Sequence, residues 1–292
     1  MLGSRLAYRY PRGYTVYPCG SRSHVFSFHL SNFYFQRMRS FITALGLNAV
    51  PAAGWFLGEW SAGTMLVLYW LETLIGTLLV AIRIVIHRRV QPSKGHWNYQ
   101  APEGQQQQRT SNRSTYLSAF LVPALVFTFV HGVFLAALGG MMIANQHSPE
   151  AKVEVDHLLA GLMGIAIFQV IDFIIDVIWL RTRSFAWIER LGQVSLSRVI
   201  VIHLTIIGGM AAVMFTGANR NFFGVFIFLK TMLNLSLVIP QWKPKTPPAW
   251  LSSVMDRVGS PKYKNTTFSQ YWKNTDDQEA ARVARNEKPM DA

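Results

Sequence analysis

Six stretches of this chain, each close to the roughly 20 apolar residues that a helix needs to cross about 30 Å of hydrocarbon, contain almost no Lys, Arg, Asp or Glu. They are residues 41–58, 62–86, 117–143, 158–180, 199–217 and 222–239. The first is the weakest, because Gly46, Asn48, Pro51 and Gly54 interrupt it. Neighbouring helices can satisfy the backbone groups that such residues free. Spans five and six are separated by only Gly217 to Asn221, which predicts a tight turn and an antiparallel pair.

The charges test this division independently. Half of the residues are hydrophobic, yet the formal net charge is +13. A basic excess of this kind points to nucleic acid or to a membrane. No polar domain with interleaved basic and aromatic residues is visible, so nucleic acid is not an expected partner and the lipid bilayer is. The segments 1–40, 83–115, 181–198 and 240–292 carry 25 of the 28 Lys and Arg residues. In a six-span chain all four fall on one side, and basic residues near span ends favour the cytoplasm. The opposite side has Lys152 and Arg220, with Glu150, Glu154 and Asp156 in its longest loop. The sequence therefore predicts an all-α polytopic membrane bundle of about six helices with both termini cytoplasmic. Trp60 at one end, and Trp179, Trp187, Trp242 and Trp250 at the other, suit the headgroup zone, whereas Trp55 and Trp70 read as packing residues.

Residues 1–40 contain six Arg and no acid, and read as a basic disordered tail. No secretory signal is visible. An organelle leader, or initiation at Met38, are the other readings. Residues 91–115, with Gln105 to Gln108, read as a flexible loop. Within the cytoplasmic tail 241–292, residues 246–258 are a candidate interfacial helix, and the polar stretch from Lys262 reads as disordered. The single cysteine, Cys19, can build neither an internal disulfide nor a thiolate metal site.

Ionisable residues inside the spans carry the functional information. They are Glu72, His131, Asp172, Asp176, His203 and Lys230. A charge at the bilayer centre costs on the order of 3 kcal/mol on insertion scales, so these groups should face inward and find partners. Gln169, Asp172 and Asp176 share one face of span four, Tyr69, Glu72, Thr73 and Gly76 one face of span two, and Lys230 and Asn234 one face of span six. Span five instead has a stripe of Thr205, Gly208 and Ala212, which suits close helix approach. Helical rise places Glu72, His131 and Lys230 near mid-span, and Asp172, Asp176 and His203 nearer the cytoplasm.

A Glu72–Lys230 pair would fix helix packing. A pair of carboxylates without a basic neighbour, Asp172 and Asp176 beside His203, would suit proton binding. The same three residues are weak candidates for a divalent cation. Haem between His131 and His203 is weaker still, and no cofactor is expected. Enzyme motifs are absent: residues 58–63, Gly-Glu-Trp-Ser-Ala-Gly, miss the first glycine of G-x-S-x-G, and neither H-E-x-x-H nor a phosphate-cradling loop occurs.

Several short motifs recur in order: Asn48 to Gly54, Trp60, Tyr69-Trp70-Leu71-Glu72, His131-Gly132, Arg198 with His203, Thr205, Gly208 and Gly209, then Leu229-Lys230-Thr231. Together they resemble the bacterial membrane proteins of domain-of-unknown-function family 6498, over about residues 41–240. Thr73 departs from the family's Asn after the Glu. The resemblance implies the architecture and no reaction. Three functions follow from the sequence: a proton-coupled transporter or channel-like protein, an intramembrane enzyme or metal protein, and an assembly subunit that pairs with another membrane protein or a second copy.

Overall fold

The structure is a computed structural model that describes residues 38, 41–102, 114–144, 152–216, 219–238, 244–259 and 266–290. For residues 138–139, 141–144, 201–216, 219–223, 225–226, 233 and 237–238 within these, it describes the backbone alone. Gln105 to Gln108, Glu150 and the expected N-terminal tail apart from Met38 therefore lie outside the described residues.

The described residues are helical, joined by turns and one isolated bridge. The helices are α1 (Phe41–Phe56), α2 (Ala62–Val90), α3 (Tyr116–Ala144), α4 (Val155–Trp179), α5 (Phe185–Thr216), α6 (Asn219–Val238), α7 (Ala249–Val258) and α8 (Phe268–Glu287). Among the described residues, α2, Tyr116–Ala137 of α3, and α4 with its extension to Thr182 are long and apolar enough to cross a membrane, and α1 is a shorter apolar helix.

Local chemistry sets the boundaries. Ser61 accepts from the Thr64 amide at 3.2 Å and so caps the start of α2. His87, Arg88 and Arg89 occupy its last turn, where cations complement the helix dipole. Ser61 also donates to the Lys152 carbonyl. The serine of the elbow-like stretch thus caps a helix and ties a neighbouring loop. Glu59 beside it has φ 50°, which makes the reversal between α1 and α2.

α2 is the hub, packed against α3, α4 and α5, while α5 also meets α3 and α6. A Cβ on Gly161 of α4 would come within 2.8 Å of the Leu68 and Trp60 side chains, so the glycine lets α4 lie close on α2. Trp70 fills a similar role against α3, donating to the Thr128 carbonyl at 2.9 Å. Trp60 packs on Gly54 and Gly161 and stacks on His157. α4 is apolar outward: Met163, Ile167, Ile171, Ile174 and Ile178 are exposed, while Gln169 and Asp176 are buried. This is the reverse of a water-facing helix.

The structure corrects four expectations. α5 begins at Phe185, ahead of the expected start at 199, because the polar stretch before it buries Ile188 and Glu189 against neighbours. Asn219 to Asn221 belong to α6, which shortens the expected turn; 217–218 lie outside the described residues. The tail after Lys262 contains an ordered helix, α8, with a Thr267–Gln270 capping box. It buries Phe268, Arg282 and Asn286. α8 docks on residues 91–102, which form a structured connection in place of the expected flexible loop. Lys94 N donates to the Lys288 carbonyl at 2.7 Å, and Ser93 bridges Pro289. Residues 249–258 of the candidate interfacial segment form α7.

Candidate functional site

The α2 face identified by spacing turns inward. Tyr69 and Glu72 are buried, and the Lys230 ammonium reaches Glu72 Oε2 at 2.6 Å. The same ammonium lies 4.1 Å from the Tyr69 ring centroid, so the ring face provides a second, weaker electrostatic contact. Gln169 of α4 donates to the Glu72 backbone carbonyl at 3.0 Å. Asn234, one turn beyond Lys230, donates to Asn48 Oδ1 at 3.3 Å, and Asn48 donates to the Ala44 carbonyl. Thr73 donates to the Tyr69 carbonyl of its own helix at 2.9 Å. Side chains from α1, α2, α4 and α6 thus meet around one ion pair.

A second group lies three turns further along α2, about 16 Å at the usual helical rise. Arg83 donates to Asp172 Oδ2 at 3.1 Å, and its Nε lies 3.0 Å from Asp176 Oδ2. The Nε contact is an ion pair by distance and is not aligned as a hydrogen bond. Arg83 also sits over the Phe173 ring. Arg83 and Asp176 are buried, and Asp172 is partly exposed. The expectation that these carboxylates lack a basic neighbour is therefore wrong. Arg83 falls in the basic segment 83–115 by sequence, yet α2 continues past it and turns it onto α4.

Arg198 of α5 is a further cation, within electrostatic reach of both Glu72 and Asp172. Its Nε is buried without a hydrogen-bond partner. Glu72, Asp172 and Asp176 then face Lys230, Arg83 and Arg198, three acids against three bases. His131 is buried on α3 and stacks on Phe134. His203 lies on α5, but its side chain, like those of Thr205 and Ala212, is outside the described residues.

The arrangement speaks on the metal reading. Arg83 occupies the space between the two aspartates, where a divalent cation would otherwise need their oxygens. Among the described residues no three His, Cys, Asp or Glu side chains are grouped to hold a metal ion.

Sequence reasoning missed a third polar cluster, at the end of the bundle where α2 finishes and α5 begins. Glu189 of α5 accepts from Tyr99 at 2.6 Å and from Arg282 of α8 at 2.7 Å. Arg282 also pairs with Glu279, and these partners raise its pKa although burial acts to lower it. Glu287 accepts from the Phe185 and Ala186 amides, placing a carboxylate on the N-terminus of α5. His87 and His96 are joined at 2.8 Å, and His87 Nε2 lies 3.0 Å from the Arg183 carbonyl.

Compared with known families, residues 31–249 match the model described as "Family of unknown function (DUF6498)". No curated protein and no solved structure matches the chain. The matched region contains α1 to α6 and both interhelical charge groups, and stops at the first residue of α7.

Proposed function

The chain belongs to the family of unknown function DUF6498, and from that premise we propose that it is a six-span membrane protein whose internal charges form a proton-responsive track. Both termini lie in the cytoplasm of a bacterial plasma membrane in this reading, since the basic segments fall on one side of six crossings. The activity is that of a proton-coupled transporter or channel-like protein.

The observation that carries the proposal is the chain of charges from Glu72–Lys230, past Arg198, to Asp172 and Asp176 with Arg83. An apolar set of the same volume would hold helices together as well or better. Protonating Glu72 removes the anion that holds Lys230, and Arg198 is coupled electrostatically to both Glu72 and Asp172. Such relays are a usual purpose of carboxylates inside membranes.

A second reading is supported by the direct pairing of each carboxylate: the pairs are helix clips with no transport role. Because the charges find partners within the chain, an assembly subunit that offers bare charges to another protein has less support. The test is a pH-gradient-driven flux in proteoliposomes. Purified protein should pass protons or a coupled solute, and Glu72→Gln or Asp172→Asn should abolish the flux while the protein still elutes as folded material. Absence of any gradient-dependent flux in the unaltered protein would leave the clip reading standing.

A further inference from the structure

We propose that α7 is a membrane-surface anchor that binds anionic lipid headgroups through an apolar stripe with basic flanks. The inference rests on the membrane reading above and extends it to a segment outside the family match.

Trp250, Val254 and Val258 are 69, 50 and 72% exposed, and no residue of α7 is buried. At roughly 100° per residue, positions four and eight apart lie within one quarter of the helix surface. The opposite face is already taken. Ser252 Oγ lies 3.4 Å from Ser269 Oγ, and Asp256 Oδ1 accepts from the Phe268 amide at 2.7 Å. α7 is thus held by its polar side to α8, and α8 is fixed to the bundle by Arg282 and Glu287. The stripe is a fixed face that points away from its support.

Two observations choose the occupant. Residues 239–248 alone connect α7 to α6, so the stripe stays close to the end of a span. The sequence around the stripe, from Lys243 to Lys264, holds Lys243, Lys245, Arg257, Lys262 and Lys264 against the single acid Asp256. Lys245 and Arg257 are exposed. A short amphipathic helix with apolar residues on one side and cations at its margins suits an interface containing anionic lipid.

The test uses the full chain with Cys19→Ser, which removes the only cysteine. Spin labels are placed singly at Val254→Cys, at Ile167→Cys on the exposed face of α4, and at Asp277→Cys on the exposed side of α8. Oxygen and nickel-chelate accessibility are read in nanodiscs of phosphatidylcholine with and without phosphatidylglycerol. With phosphatidylglycerol, the ratio of oxygen to nickel accessibility at 254 should exceed that at 277 several-fold. It should fall toward the 277 value in phosphatidylcholine alone, or when Lys245 and Arg257 are changed to Gln. Equal burial of 254 in both lipids overturns the anionic recognition. A water-exposed 254 with 167 in lipid overturns the anchor and leaves the membrane reading intact. Dipolar broadening between labels at 254 overturns it in favour of a second copy of the chain. A water-exposed 167 overturns the membrane reading itself and the anchor with it.

Discussion

Glu72 and Lys230 illustrate how a buried pair is weighed residue by residue. Their side chains are 11 and 3% exposed and meet at 2.6 Å. Removing one partner strands the other, which costs about 3–5 kcal/mol for a buried pair. Removing both restores neutrality at the cost of packing alone. Lys230→Met and Glu72→Gln should therefore each destabilise the purified protein by about that amount, and the double substitution by clearly less than their sum. Denaturant unfolding in detergent measures it. Additive losses would show that the two residues act independently. Arg83 shows why half of this network was hidden in the sequence. It lies on the face of α2 that also carries Glu72, three turns on, a spacing that is plain in retrospect. Basic residues near a span end are read first as topology signals, and that use masked its role as the partner of Asp172 and Asp176. Arg198 was masked in the same way.

The apolar parts of α1 to α6 were legible because apolar runs announce a helix whatever it contacts, whereas the polar start of α5 was not. α8 was not, because its docking depends on Arg282, Asn286 and Glu287 meeting specific polar partners. Composition alone reads such a helix as solvated. Its capping box, Thr267 with Gln270, was the available signal. The surface beneath α8 has its own titration. His87 Nε2 faces a carbonyl and so carries its hydrogen; His87 Nδ1 then accepts from His96 Nε2. His96 Nδ1 is left buried without a partner, and a proton there would have no acceptor. Burial first, then His87 and Arg88, lowers the His96 pKa from 6.5 to about 3. Between those values the unfolded segment binds the extra proton and the folded one does not. Stability from this group is complete above about pH 6.5 and declines as pH falls toward 3. Hydrogen exchange in residues 94–102, corrected for intrinsic rates, should be faster at pH 5 than at pH 7.5. His96→Gln should flatten that difference, and an unchanged difference would assign it to other groups.

At the largest scale, and among the described residues, α4 turns apolar side chains outward, charges pair between helices, and a polar cap covers the end where α2 finishes and α5 begins. The cap is built from the connection after α2, the start of α5 and α8. These are three of the basic segments that the sequence placed together by charge alone, and their contact is an independent reason to keep them on one side of any membrane. Val153 and Asp277 make this a measurable claim. The three long helices α4, α5 and α6 and the short α7 lie between them, so if α4, α5 and α6 each cross once and α7 stays at the surface the two must lie on opposite faces. Both are exposed. With Cys19→Ser as background, a membrane-impermeant maleimide should label Val153→Cys in intact cells. It should label Asp277→Cys only after the membrane is opened. Labelling of Asp277→Cys alone in intact cells would invert the orientation and contradict the charge rule for this chain. Equal labelling of both would require an even number of crossings between them. That outcome would remove α5 or α6 from the membrane, and with it the place of Arg198 or Lys230 in an intramembrane charge track.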